Sequence, residues 1–204
     1  MMEYYELHPV TPQLRYINKA VEVLKQGGVI IYPTDTVYGL GCDIFNKEAV
    51  ERIYSIKNEA GTKLFSFLCA DLKDISKYAK VSDYSYKTMK RLLPGPFTCV
   101  LPAAREVPKK LWTKRKSVGI RVPDNEIART LVKELGNPII STSVTTRKGE
   151  LLYDPEEIRY ILNTQVDLML ASGVLNSKTS TIVDLTGDEA EIIREGKGDI
   201  NILA

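Results

Sequence analysis

Two short segments of this chain place hydroxyl side chains directly after an apolar stretch. Residues 32–41 (YPTDTVYGLG) follow the apolar run 29–32, and residues 139–146 (IISTSVTT) begin apolar and end in hydroxyls. Open α/β sheets bind ligands where strands end, and hydroxyls beside backbone N–H groups can hold phosphate or carboxylate oxygens. Taken alone, each segment is more often an ordinary turn or strand-to-loop transition. The first is not a P-loop, because it lacks GxxxxGK[ST].

Three cationic side chains stand near the ends of predicted elements. Lys57 lies near the end of a predicted helix, and Arg121 and Arg194 each end a strand-like run. Such cations bind polyanionic oxygens when they converge, although singly each is an ordinary surface charge. Ser141 and Ser143 are two residues apart, so both hydroxyls could face one ligand while the strand continues.

A basic run, KKLWTKRK at residues 109–116, places a tryptophan among cations. This pattern is compatible with contacts to a nucleic-acid backbone and with base stacking, and a solvated basic loop is the alternative. The 28 Lys and Arg against 26 Asp and Glu leave a net charge of only +2, so any polyanion site must be local. The candidate RNA-binding residues are Lys109, Lys110, Lys114, Arg115 and Lys116.

Histidine and cysteine usage excludes several classes of site. The one histidine, His8, is predicted in an N-terminal strand, which rules out zinc sites built on several histidines. A conventional catalytic triad would have to recruit it. Cys42, Cys69 and Cys99 stand far apart without a CxxC pair, which argues against a zinc knuckle and a disulfide framework. We predict three reduced cysteines in or near strands and no protein-held metal.

Patterns typical of helices and strands alternate along the chain. Thr11-Pro12 predicts an N-cap followed by proline at the first helical position, and Gly27-Gly28 ends that helix. The apolar run 29–32 predicts a strand buried on both faces, and a loop over residues 34–41 leaves its end.

Asn46 and Asp154 predict the starts of two further helices. Other helical patterns cover residues 71–93 and 127–135, and strand patterns cover 64–69, 97–101, 117–122, 138–143, 166–170, 181–185 and 192–194. Closely spaced strands near Phe97 and Thr181 favour a mixed sheet over a parallel one. The sequence therefore predicts an α/β fold with helices flanking a mixed sheet.

The length of 204 residues favours one domain, 1–204, with a sizeable core. The N-terminal MMEYYE lacks the basic and then apolar layout of a signal peptide, and no run approaches 18 apolar residues. We therefore expect a cytoplasmic protein without a membrane partner.

Five segments, taken together, resemble the YrdC-like family of threonylcarbamoyl-adenylate synthases. They are residues 33–41 (PTDTVYGLG), 119–123 (GIRVP), 141–143 (STS), 180–185 (STIVDL) and 194–196 (REG). Each segment alone is a weak signal, but their order and spacing match almost the whole chain.

The resemblance implies a twisted α/β sheet around a large, positively lined cavity. In that family ATP, L-threonine and bicarbonate give threonylcarbamoyl-AMP and pyrophosphate for the t6A modification of tRNA, with Mg²⁺ accompanying the nucleotide. The substrate-binding residues that it implies are Thr34, Arg121, Ser141 and Ser143. The nucleotide-binding residues are Lys57, Ser143, Ser180 and Arg194, of which Lys57, the first residue of a KxR motif, is also assigned as catalytic.

The chain departs from the synthase pattern at two positions. Glu59 stands where the second cation of KxR is expected, and Thr145 stands where the SxN motif carries asparagine. Replacing arginine by glutamate turns a charge-assisted phosphate contact worth roughly 1.5–3 kcal/mol into repulsion. These departures, with the opening Leu7-His8-Pro9 and the stretch 109–122, resemble the YciO-type branch of the family.

Three functions therefore stand open at the level of sequence. The first is a threonylcarbamoyl-adenylate synthase of full or weak activity. The second is a YciO-type paralogue that keeps the cavity for another nucleotide or metabolite. The third is binding of tRNA or double-stranded RNA through the basic run, for which the family's reported affinity for double-stranded RNA is a second reason.

The charge reversal at Glu59 generates the first testable prediction. The double substitution E59R/T145N restores the cation and amide of the synthase pattern, so we expect it to raise pyrophosphate release from ATP in the presence of L-threonine and bicarbonate. A folded double variant that shows no gain over the wild type would contradict the idea that these two residues limit synthase activity.

Overall fold

The structure is a computed structural model that describes residues 1–58, 65–73, 75–105, 107, 116–175 and 178–203. Its strands form one mixed sheet in the order β1-β8-β2-β3-β7-β4-β6-β5-β9-β10. The strands are β1 (Glu3–Glu6), β2 (Ile30–Tyr32), β3 (Gly39–Asp43), β4 (Ser66–Leu68), β5 (Phe97–Pro102), β6 (Ser117–Arg121), β7 (Ile139–Ser143), β8 (Leu168–Ala171), β9 (Thr181–Asp184) and β10 (Glu191–Arg194). Four neighbouring pairs, β1/β8, β2/β8, β4/β6 and β5/β9, are parallel and the others antiparallel. The predicted mixed α/β sheet is confirmed.

Helices cover both faces of this sheet. They are α1 (Leu14–Lys25), α2 (Lys47–Ile56), α3 (Asp83–Leu92), α4 (Glu126–Leu135) and α5 (Pro155–Leu162). The apolar sides of α1 and α4 pack on one face, and those of α2, α3 and α5 pack on the other. The caps predicted at Asn46 and Asp154 are confirmed, because these side chains accept hydrogen bonds from Ala49 N and Glu156 N. None of the helices in the described ranges has the length and apolar character needed to cross a membrane.

The segment before α1 differs from the prediction. Helix α1 begins at Leu14 rather than at Pro12, and its N-cap residue Gln13 makes no side-chain capping bond. Thr11 is engaged elsewhere, because its N–H donates to His8 Nδ1 at 3.0 Å and its hydroxyl lies 3.0 Å from the same nitrogen. His8 therefore orders a turn after β1 instead of lying in the strand.

The loop predicted over residues 34–41 is wrong at its end, because Gly39–Asp43 form strand β3 although glycine has a low strand propensity. Its residues pair with β2 on one side and β7 on the other, which places a Gly-Leu-Gly segment inside the sheet. A Cβ atom at Gly41 would lie 2.5 Å from the backbone oxygen of Ile140, and one at Gly39 would lie 2.7 Å from the ring of Tyr32. The glycines are needed because neighbouring groups occupy the space of a side chain.

The three cysteines are buried and unpaired, as predicted. Cys42 lies in β3, Cys99 in β5, and Cys69 directly after β4. Burial raises the pKa of both Cys69 and Cys99 to about 12, so their thiols stay protonated at neutral pH. A protonated thiol is a poor nucleophile, which makes these residues packing groups.

The close contacts of Gly41 generate a stability prediction. G41A forces a methyl group against the Ile140 backbone, so we expect a loss of about 1–3 kcal/mol in the free energy of unfolding, measured in urea. The matched control is G187A, because nothing lies within 4 Å of a Cβ at Gly187. Equal stability of the two variants would show that β3 tolerates a side chain at position 41.

Candidate functional site

A row of very small residues crosses the centre of the sheet. Gly41 of β3 lies opposite Ser141 of β7, Ser141 opposite Ser66 of β4, and Ser66 opposite Gly119 of β6. Side chains two residues apart on a strand share a face. Because Ile139 and Leu68 pack with α1 and α4, Ser141 and Ser66 point to that same face. Their small volume leaves space above the sheet beside these two helices.

This space is a cavity of about 380 Å³ over the strands from β7 to β10. The structure brings Lys57, Arg121 and Arg194, which are far apart in the chain, to its wall. Its other polar lining residues are Ser66, Thr98, Thr142, Ser143, Ser141, Thr145, Thr179 and Ser180. A volume of this size lies at the lower end of the range of small-molecule sites. Cationic and hydroxyl groups together suit an anionic ligand.

Arg121 is fixed by the loop between β2 and β3. Its Nη2 donates to Asp35 Oδ1 at 2.7 Å, to Thr36 Oγ1 at 2.5 Å and to Thr34 Oγ1 at 3.1 Å. Thr34, predicted to bind substrate, is not among the residues that line the cavity, and it contacts Arg121 instead. The side chains of Arg121 and Asp35 are each only 8% exposed, so the ion pair is buried.

Asp35 is the residue of this group that sequence reasoning missed. Its second oxygen, Oδ2, accepts from Asp124 N at 3.1 Å, and Lys197 Nζ donates to its backbone oxygen. The loop is therefore tied to the segment after β6 and to the segment after β10. An acidic residue flanked by two threonines, at the end of a buried strand, was the only available signal.

One donor of Arg121 is left over. In the described part of the chain, its Nε is buried without a hydrogen-bond partner. A buried donor without a partner costs about 1–3 kcal/mol. Arg121 therefore keeps one unsatisfied donor beside the cavity that the residue lines.

Lys57 reaches the same cavity from the end of α2. Its Nζ donates to Ser143 O at 3.0 Å and to the hydroxyl of Thr145. Only 9% of the residue is exposed. The ammonium is thus held at the end of β7, next to the predicted site residue Ser143.

Arg194 and Ser180 form the opposite wall. Arg194 Nη2 donates to Ser180 O at 2.8 Å, and the hydroxyls of Ser180 and Thr98 lie 2.8 Å apart. Burial, followed by the positive charge of Arg121, lowers the pKa of Arg194. The two guanidinium groups therefore repel one another, and an anion between them would be stabilised by both.

The predicted RNA-binding run lies largely outside the described residues. Lys109, Lys110, Lys114 and Arg115 belong to that part, whereas Lys116 is described, exposed and has a φ of 55°. Among the described residues, no group of three His, Cys, Asp or Glu side chains is arranged to hold a metal ion.

Comparison with known proteins identifies a family model and relatives that match most of the chain. The family model Sua5_yciO_yrdC, described as telomere recombination, matches residues 22–196. The Escherichia coli K12 protein YciO is 44% identical over 202 residues, covering 98% of each chain. The threonylcarbamoyl-AMP synthase of Coxiella burnetii is 34% identical over 157 residues, covering 76% of this chain and 83% of that protein.

Solved structures share the fold. The crystal structure of E. coli YciO matches with a TM-score of 0.95 and 43% identity over the whole of both chains. P. abyssi Sua5, crystallised with L-threonine, matches with a TM-score of 0.88 and 24% identity, covering 96% of this chain and 57% of its own. At that identity the second likeness concerns the fold alone.

The buried ion pair of Arg121 generates a prediction about stability. D35A leaves the Arg121 charge buried without its carboxylate, so we expect a loss of about 3–5 kcal/mol in the free energy of unfolding. D35N keeps an acceptor oxygen and should lose less. The control is D188A, since Asp188 is exposed. Urea denaturation measures all three, and a D35A loss below about 1 kcal/mol would contradict a structural role for the pair.

Proposed function

Because the chain belongs to the Sua5/YciO/YrdC family, we propose that it is a threonylcarbamoyl-AMP synthase. The reaction joins L-threonine, bicarbonate and ATP and releases pyrophosphate and water. The observation that carries the proposal is the convergence of Lys57, Arg121 and Arg194 with a set of hydroxyls on one cavity. The named activity of the Coxiella relative and the L-threonine in the Sua5 crystal support it.

The Arg121 side of the cavity suits the amino acid. Arg121 lines the cavity, and a guanidinium group pairs well with the carboxylate of L-threonine, with Ser141 and Ser143 as neighbouring hydroxyls. The threonine amine, after losing a proton, attacks the carbon of bicarbonate, and water leaves to give a carbamate. Holding both reactants in one enclosed site supplies the proximity that this step requires.

The side of Lys57 and Arg194 suits the nucleotide. A carbamate oxygen attacks the α-phosphorus of ATP, the bond to the bridging oxygen of the β-phosphate breaks, and pyrophosphate leaves. Positioning and cationic groups carry most phosphoryl-type transfers, which is why the chemistry needs no histidine base. Lys57, Arg194, Ser143 and Ser180 would offset and orient the phosphate charge. Mg²⁺ would arrive on the phosphates, as part of the substrate.

A second candidate is a paralogue that uses another nucleotide. The observation in its favour is the bond from Lys57 Nζ to Thr145, the residue that stands where the synthase motif carries asparagine. Glu59, which lies outside the described residues, is the second departure from the synthase pattern. Under this alternative the cavity binds a nucleotide, but L-threonine does not stimulate pyrophosphate release. A role in t6A modification of tRNA belongs to the first candidate only.

The proposed function is tested by pyrophosphate release in the presence of ATP, Mg²⁺, L-threonine and bicarbonate, with calorimetry of the same samples. We expect release that depends on L-threonine. K57A removes a charge-assisted contact and should lower the rate about 10- to 150-fold. K47A is the matched control, because Lys47 is exposed at the other end of the same helix.

Two results would contradict the proposal. A wild-type protein that releases no pyrophosphate at any Mg²⁺ concentration would exclude synthase activity. Binding of ATP without any effect of L-threonine would favour the second candidate.

A further inference from the structure

Tyr32 is a fully buried side chain whose hydroxyl reaches the cavity wall. It ends β2, and its OH donates to Ser141 Oγ on β7 at 2.7 Å, although β3 lies between these two strands. Ser141 is itself 3% exposed and lines the cavity. Tyr32, in the hydrophobic cluster under α1 and α4, is therefore hydrogen-bonded to Ser141, which lines the cavity.

The sheet is built to hold this ring. Cβ atoms at Gly39 and Gly41 would lie 2.7 Å and 3.0 Å from ring atoms of Tyr32. The ring of Tyr32 therefore packs directly against the backbone of Gly39 and Gly41 in β3. A ring enclosed on that side has little freedom, so its hydroxyl is held in one position.

The hydrogen bond has a direction that matters for the site. Because the phenol donates, one lone pair of Ser141 Oγ is occupied, and the Ser141 proton must point elsewhere. Ser66 Oγ donates to the Ser141 backbone oxygen at 3.2 Å, which fixes the backbone beneath it. Burial raises the pKa of Tyr32, so the phenol stays protonated at neutral pH.

We propose that Tyr32 is a positioning residue that aims the Ser141 hydroxyl into the cavity as a hydrogen-bond donor toward an oxyanion of the ligand. Ser141 lies opposite Ser66 of β4, and Ser66 lies opposite Gly119 of β6, two residues before Arg121, so Ser141 lies on the Arg121 side of the cavity. On the proposed function, on which this assignment of the ligand rests, the oxyanion is the carboxylate of L-threonine.

The test is Y32F, which removes the hydroxyl and keeps the ring packed against Gly39 and Gly41. We expect the Kd of L-threonine, measured by calorimetry, to rise about 3- to 10-fold, the range of one neutral hydrogen bond. The KM for L-threonine should rise by the same factor, while kcat at saturating L-threonine and the Kd of MgATP change less than about twofold.

The matched control is Y38F. Tyr38 is also a fully buried tyrosine, and its hydroxyl donates to Gly173 O and accepts from Ser172 N in the core on the other face of the sheet. Both variants lose one hydrogen-bonded tyrosine hydroxyl, so both lose stability, but only Y32F should weaken L-threonine binding. Equal affinities in Y32F and the wild type, or equal losses in both variants, would overturn the assignment.

A double-variant cycle separates positioning from a general effect on packing. If Tyr32 acts through Ser141, Y32F has no further effect on L-threonine affinity in the S141A background. Additive losses would overturn the proposal. Should S141A fold poorly because it leaves the phenol without a partner, the comparison of Y32F with Y38F decides alone.

The two proposals fail in different ways. If the wild type neither binds L-threonine nor releases pyrophosphate, the synthase function fails, and inorganic phosphate becomes the probe for Tyr32. Phosphate binding that is about 3- to 10-fold weaker in Y32F than in Y38F would uphold the positioning role. Phosphate that binds Y32F and Y38F alike, or does not bind the wild type, would overturn it.

Discussion

The guanidinium group of Arg121 lies at the end of β6 with 6% of the residue exposed. A charge in such a place costs several kcal/mol unless it is paired and hydrogen-bonded. Asp35 supplies the opposite charge, and the hydroxyls of Thr34 and Thr36 supply two further acceptors. The loop between β2 and β3 therefore packs around the Nη2 nitrogen of Arg121, a residue that also lines the cavity.

The two faces of the sheet carry different residues, which explains how the protein combines a cavity with a large hydrophobic core. On the face of α2, α3 and α5 the strands contribute large apolar side chains, which form one continuous cluster. On the other face, the row from Gly41 to Gly119 is composed of glycine and serine. Stability comes from one face and from the half of the other face that α1 and α4 cover, so the rest of that face is available for a ligand.

The charges that line the cavity favour an anionic ligand. Three cations contribute to the wall, and Asp35 offsets only the one with which it is paired. The pKa of Arg194 is lowered first by burial and then by the positive charge of Arg121. An anionic ligand would relieve this repulsion, which is a physical reason to expect phosphate or carboxylate groups in the site whichever nucleotide the protein uses.

The sequence by itself determined the α/β class, most of the strands, two helix caps, the reduced cysteines and the candidate cations. Each of these depends on local pattern: periodicity, capping chemistry or residue type. It did not reveal β3, because the glycines that make Gly39–Asp43 a poor strand by propensity are required by the ring of Tyr32 and the backbone of Ile140. Nor did it show that the Thr11 N–H donates to His8 Nδ1, so that Thr11 does not cap α1 and the helix begins at Leu14.

Tertiary structure alone decided the pairings that define the site. Asp35 and Arg121 are 86 residues apart, and Tyr32 and Ser141 are 109 apart. No local pattern encodes such contacts, because they arise only when β2, β6 and β7 take their places in one sheet. The chain specifies which groups are present, whereas the order of the strands determines which of them meet.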